Sequence, residues 1–81
     1  MFSPVAQTRK SSGLSQHDLA ILADVGLSTL VAIESGALKP NDKVLRALEK
    51  LGADSEGIKD AHNRFVEAKR KAIEARLQAA S

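Results

Sequence analysis

Two short amphipathic segments separated only by Asp24-Val25-Gly26 constrain this chain more than any other feature. The first segment opens at Gly13-Leu14-Ser15-Gln16-His17-Asp18 and carries Leu19, Ala20, Leu22 and Ala23 as its apolar face. Ser15 followed by Asp18 is the Ser-x-x-Asp form of a capping box, so a helix is expected to start there. Asp24 and Gly26 both tolerate the backbone angles of a tight turn. The second segment runs from about Leu27 to Ser35, places Leu30 and Ile33 on one face, and stops at Gly36. Two helices this short and this closely coupled form a unit whose second helix can enter the major groove of DNA.

The flanking segments read as further helices. Ser3-Pro4 is a helix start, because the serine hydroxyl can accept from a free backbone N–H and proline lacks one that would be unpaired anyway. That helix is expected over Pro4 to Ser11, with Gly13 ending it. Asn41 is expected to cap a fourth helix with a Val44, Leu45, Leu48 and Leu51 stripe, closed by Gly52. After the polar break Asp54 to Gly57, residues Ile58 to Ala80 contain no Gly or Pro. Ile58, Phe65, Ala72 and Ala79 recur every seven residues there, with Ala61, Ala68 and Ala75 between them, an alanine-rich coiled-coil-like seam. The reading is all-α: a helix-turn-helix bundle of four to five helices over residues 1–53, and a long C-terminal helix over 58–81.

Composition narrows the function classes. A chain of 81 residues is one domain, with a thin stability margin. Two Phe are its only aromatics, so the core must come from Leu, Ile, Val and Ala. There are no cysteines, which excludes disulfides, thiol catalysis and a Cys-based zinc site. His17 and His62 lie too far apart in sequence to suggest a metal site, and nothing implies a cofactor. No Ser-His-Asp arrangement, phosphate loop or paired acid and base is present, so an enzyme is not expected. Net charge is only +2, and residues 1–52 and 53–81 each carry six basic and five acidic residues, so any DNA-facing basic patch must arise from folding. No apolar run suggests a membrane span, and the start does not resemble a signal peptide, so a cytoplasmic protein is expected.

Arg9 and Gly13-Leu14-Ser15-Gln16, then Leu19-Ala20, Val25, Ser28-Thr29-Leu30, Ile33-Glu34-Ser35-Gly36, Lys39-Pro40, Leu45, Leu48 and Leu51-Gly52 together form a pattern over about residues 4 to 52. It resembles the Cro/C1-type (XRE-type) helix-turn-helix family. The resemblance implies a compact, lambda-repressor-like bundle of about five helices, acting as a dimeric repressor on an inverted-repeat operator in double-stranded DNA. It implies that Gln16 contacts phosphate and that Leu27, Ser28, Thr29, Val31 and Ala32 occupy the recognition positions. Ser35 and the Leu38 to Asn41 loop, with Lys39 and Asn41, then lie at the DNA backbone, and Arg9 faces phosphates from the first helix. His17 sits at the same helix end as Gln16 and joins the expected DNA-binding set.

Several positions depart from the family pattern. Thr8 replaces an aliphatic residue, Asp24 a frequent turn glycine, and Gly26 a Ser or Thr cap. The outward face of the recognition helix has no Arg, Lys, Gln or Asn, the residues that make the strongest base contacts. Hydroxyls and small apolar groups remain, suited to thymine methyls and to DNA shape. Glu34 should point away from phosphates into an internal hydrogen bond or ion pair. Lys69-Arg70-Lys71 reads first as a solvated face, with added phosphate contacts as the alternative. The C-terminal helix has two uses open to it, docking on the body or pairing with a second copy, because ~23 residues span ~34 Å. Ile58, His62, Phe65, Val66, Ala72, Ile73 and Leu77 are its expected dimerisation residues. The expected role is a small transcriptional regulator of phage, mobile-element or similar type. The alternative is a protein-interaction or antitoxin-like module that binds a partner.

Overall fold

The computed structural model describes residues 2–80; Met1 and Ser81, at the outer ends of the two expected units, lie outside the described residues. Five helices are present among the described residues: α1 (Pro4–Ser11), α2 (Gln16–Ala23), α3 (Leu27–Ser35), α4 (Asp42–Lys50) and α5 (Ser55–Ala80). Their starts follow the capping chemistry. Ser3, Ser15 and Asn41 each accept a backbone N–H of the first turn through their side chains. At α2 the box is reciprocal, with the Asp18 carboxylate accepting from the Ser15 N–H at 3.0 Å. These bonds hold the Asp18 carboxyl below the usual carboxylate range, and His17 adds to the effect.

The core sits where α1 to α4 converge. Val5, Leu19, Leu30, Ile33, Val44 and Leu48 are shut off from solvent. They belong to one cluster, with Ala20, Ala23 and Ala47 filling the narrow gaps between helices. Burying each large aliphatic side chain contributes about 1.5–3 kcal/mol, which is how helices of eight or nine residues hold together. The turn between α2 and α3 takes its left-handed residue from Asp24, at φ 57°, and not from Gly26, which is extended at φ –66°. Asp tolerates that region because its short polar side chain suits it, and Lys43 lies 3.5 Å from the Asp24 carboxylate.

Helix α5 is not a separate unit. It begins at Ser55, three residues before the expected start, and its first half crosses α1 and α4. Ile58, His62 and Phe65, expected between subunits, are buried inside this one. They lie at i, i+4 and i+7, so one face of the helix carries all three into the body. The rest of α5 projects outward and stretches the molecule to 45 × 23 × 21 Å. Gly36, at φ 91°, ends α3 where a Cβ would stand 3.2 Å from the Phe65 ring. A glycine is favoured there on two grounds, the left-handed backbone and the close approach of α5. No described helix is long and apolar enough to cross a membrane.

His62 is 1% exposed, its ring 6.2 Å from that of Phe65. Neither ring nitrogen has a hydrogen-bond partner of good geometry among the described residues. Burial pushes its pKa below the ordinary histidine value, and the Leu38 backbone opposes that only in part. The folded state therefore favours neutral His62. Its stability is fully present above the unfolded pKa of about 6.5 and is lost as pH falls through the lower folded value. Thermal melts from pH 7.5 to 5 are expected to show a falling midpoint for the unaltered protein. A His62→Leu variant should show a flatter profile; equal slopes would remove His62 as the cause.

Candidate nucleic-acid interface

The positions expected to meet DNA lie on α3, at the start of α2 and in the loop from Leu38 to Asn41. Helix α3 is two-faced. Leu30 and Ile33 are buried, whereas Leu27, Ser28, Val31 and Ser35 are exposed, and Thr29 and Ala32 are half-buried. The burial of one side by the core thus presents the other as a continuous outward strip. Gly26 has no side chain to cap α3, and the helical ladder begins only with Leu30 N–H to Gly26 C=O at 3.1 Å. The first N–H groups of α3 are consequently left for outside partners. His17 and Leu27 line one shallow cleft between α2 and the turn, and Gln16, Val31 and Ser35 line a groove on the opposite flank of α3. Lys39 and Asn41 are exposed in the loop, but the Asn41 side chain is committed to the Val44 N–H at 2.9 Å.

Beneath this surface lies a buried ion pair. Arg9 donates from Nε to Glu34 Oε2 at 2.8 Å and from Nη2 to Oε1 at 3.1 Å. Both residues are under a tenth exposed. The remaining Arg9 nitrogen donates to the Leu14 carbonyl at 2.9 Å. The expectation that Arg9 faces phosphates is therefore corrected: its guanidinium is turned inward, and all three of its nitrogens are engaged. Sequence reasoning assigned Glu34 an internal pair without naming the partner. The available signal was Val5 and Arg9 at i and i+4, which share the buried face of α1.

Gln16 is tied to the same carboxylate, its Nε2 donating to Glu34 Oε1 at 3.1 Å. An amide nitrogen has two hydrogens, so one remains for an outside acceptor. The structure thus fixes the Gln16 amide at the mouth of the groove instead of leaving it in solvent. Among the described residues, no three His, Asp or Glu side chains gather as a metal site would require.

A model of the helix-turn-helix family matches residues 5–51, more than half of the chain. The chain belongs to the Cro/C1-type helix-turn-helix family. It is therefore a DNA-binding regulator in the general sense of that family, whose domains are generally not enzymes. No characterised protein and no solved structure gives a significant match. In this helix-turn-helix protein the matched segment ends before α5, so the docking of α5 on the family domain comes from the structure alone.

Removing one partner of a buried pair leaves an uncompensated charge and costs about 3–5 kcal/mol. Glu34→Ala is expected to lose at least about 3 kcal/mol in urea unfolding. Replacing both partners, as Arg9→Met with Glu34→Leu, should lose less than the single change. A loss under about 1 kcal/mol for Glu34→Ala would show that the pair is not structural. The Gly26 site predicts the opposite sign. A Cβ there meets only Thr29 Oγ1 at 3.9 Å and Ser28 Oγ at 4.0 Å, and the backbone suits any residue. Gly26→Ser should stabilise by about 0.5–1 kcal/mol, through the new cap and a less flexible unfolded chain. An unchanged melting midpoint would show that no cap forms.

Proposed function

We propose that the protein is a dimeric transcriptional repressor or autorepressor binding an inverted-repeat operator. The observation that carries this reading is the outward strip Leu27, Ser28, Val31 and Ser35, with Gln16 lining the groove beside Val31 and Ser35. Such a strip fits a major groove, with backbone contacts at its flank positioning it. Ser28 and Thr29 supply hydroxyls, and Leu27, Val31 and Ala32 supply apolar contact to thymine methyls. With so few polar groups, DNA deformability carries a large share of the specificity. Occupying a promoter then blocks transcription.

The dimer reading rests on the projecting half of α5. Ala72, Ile73 and Leu77 are exposed there, Ile73 and Leu77 by 44% and 66%. Val66 is half-buried on the side of Ile73 and borders the same groove beside Gly36 and Ala37. With Ile58, His62 and Phe65 used internally, only this distal part is free to pair with a second copy. Two such subunits would set two α3 helices about 34 Å apart, one turn of DNA.

Selection of bound sequences from a random duplex pool tests the reading. An enriched inverted repeat is expected, with Thr29→Ala and Ser28→Ala shifting the preferred half-site. Enrichment of a single half-site would argue for a monomer. No enrichment by a folded protein would favour a partner-binding module, with the distal α5 as its docking surface.

A further inference from the structure

The recognition helix carries no cation of its own, and Arg9 is spent on Glu34. Phosphate neutralisation at the Gln16 flank must therefore come from elsewhere in the fold. Helix α5 reaches that flank. Lys69 extends from it to the last residue of α3, where its Nζ donates to the Ser35 carbonyl at 2.6 Å. The same ammonium lies 5.4 Å from the Phe65 ring, which fixes its direction. Lys10 approaches from α1, seated 3.2 Å over the Phe2 ring. Lys10, Gln16, Ser35 and Lys69 line one open groove of about 440 Å³, whose floor includes Glu34. The Glu34 charge is met by Arg9, so among the described residues the groove's unpaired charges are the two ammonium groups.

We infer that this groove is a DNA-phosphate site in which Lys69 of α5 supplies the cation that α3 lacks. An ammonium has three donors, and the Ser35 carbonyl takes one, leaving two for a phosphate oxygen. Gln16 has one free amide hydrogen in the same groove, which Lys10 also lines. The docking of α5 thereby has a direct function in binding, beyond burying Ile58 and Phe65. The inference rests on the DNA-binding reading above and extends its footprint outside residues 5–51 of the family match.

The test is the salt dependence of binding to the selected duplex, for the unaltered protein and for Lys69→Gln, Lys69→Arg and Lys71→Gln. Lys71 is exposed on the same helix but does not line the groove, so its loss changes net charge equally. Lys69→Gln is expected to reduce the slope of log affinity against log salt by about 0.9 and to weaken binding roughly five- to tenfold near 0.1 M salt. Its sequence preference should not change, because phosphate contacts carry no base information. Lys69→Arg should restore the slope, and Lys71→Gln should leave it near the original. A helix cap alone would alter the melting midpoint without altering the slope. If Lys69→Gln and Lys71→Gln give equal slopes while the unaltered protein binds, the inference is overturned and the DNA reading stands. If the unaltered protein shows no salt-dependent binding, both fall.

Discussion

A guanidinium and a carboxylate held out of water at 2.8 Å join α1 to α3, and the rest of the interface is arranged around that pair. Charges of this kind are costly to bury singly, so each demands the other and every remaining hydrogen-bonding group must find a partner. Arg9 meets this by reaching the Leu14 carbonyl in the turn before α2. Glu34 meets it by accepting from Gln16 at the start of α2. One ion pair thus locks three helices in a fixed relation and sets the orientation of the Gln16 amide. Hydrophobic burial of Leu30 and Ile33 would hold α3 against the core, but it is not directional. The pair supplies the direction.

The second organising contact is between α5 and the end of α3. Gly36 lets the Phe65 ring approach to where a Cβ would stand only 3.2 Å from it, and Lys69 completes the contact by donating to a carbonyl at the negative end of the α3 dipole. Helix α5 consequently divides into two parts with different physical roles. Ile58, His62 and Phe65 are core, and burial there favours the neutral form of His62 over its charged form. Beyond Lys69 the helix borders the body only at a groove beside Gly36 and Ala37, and Ile73 and Leu77 remain exposed.

The electrostatics of the outward surface follow from this arrangement. A recognition helix of hydroxyls and small apolar groups attracts no polyanion by itself. Cations stand beside it on α1 and α5, where Lys10 and Lys69 line a groove with Gln16, Val31 and Ser35. Residues far apart in sequence and nearly balanced in charge can still make a locally basic rim, because folding sorts them by position and not by order.

Local chemistry determined the helices: Ser3, Ser15 and Asn41 announce three starts, Gly36 announces a stop, and the Leu19, Leu30 and Ile33 pattern places the core side of each element. These signals act within one or two turns, so a sequence contains them whole, and with them the helix-turn-helix family. Asp24 was legible as a turn residue, but not that it, and not Gly26, would take the left-handed conformation. The partner of Glu34, 25 residues away, was decided only in three dimensions. So was the use of the heptad seam in α5, since a stripe containing Ile58 and Phe65 serves equally well against its own body or a second copy. In the structure the first half is used against the body, with Ile58, His62 and Phe65 buried there. Long-range pairing depends on which surfaces meet, and that is a property of the packed chain.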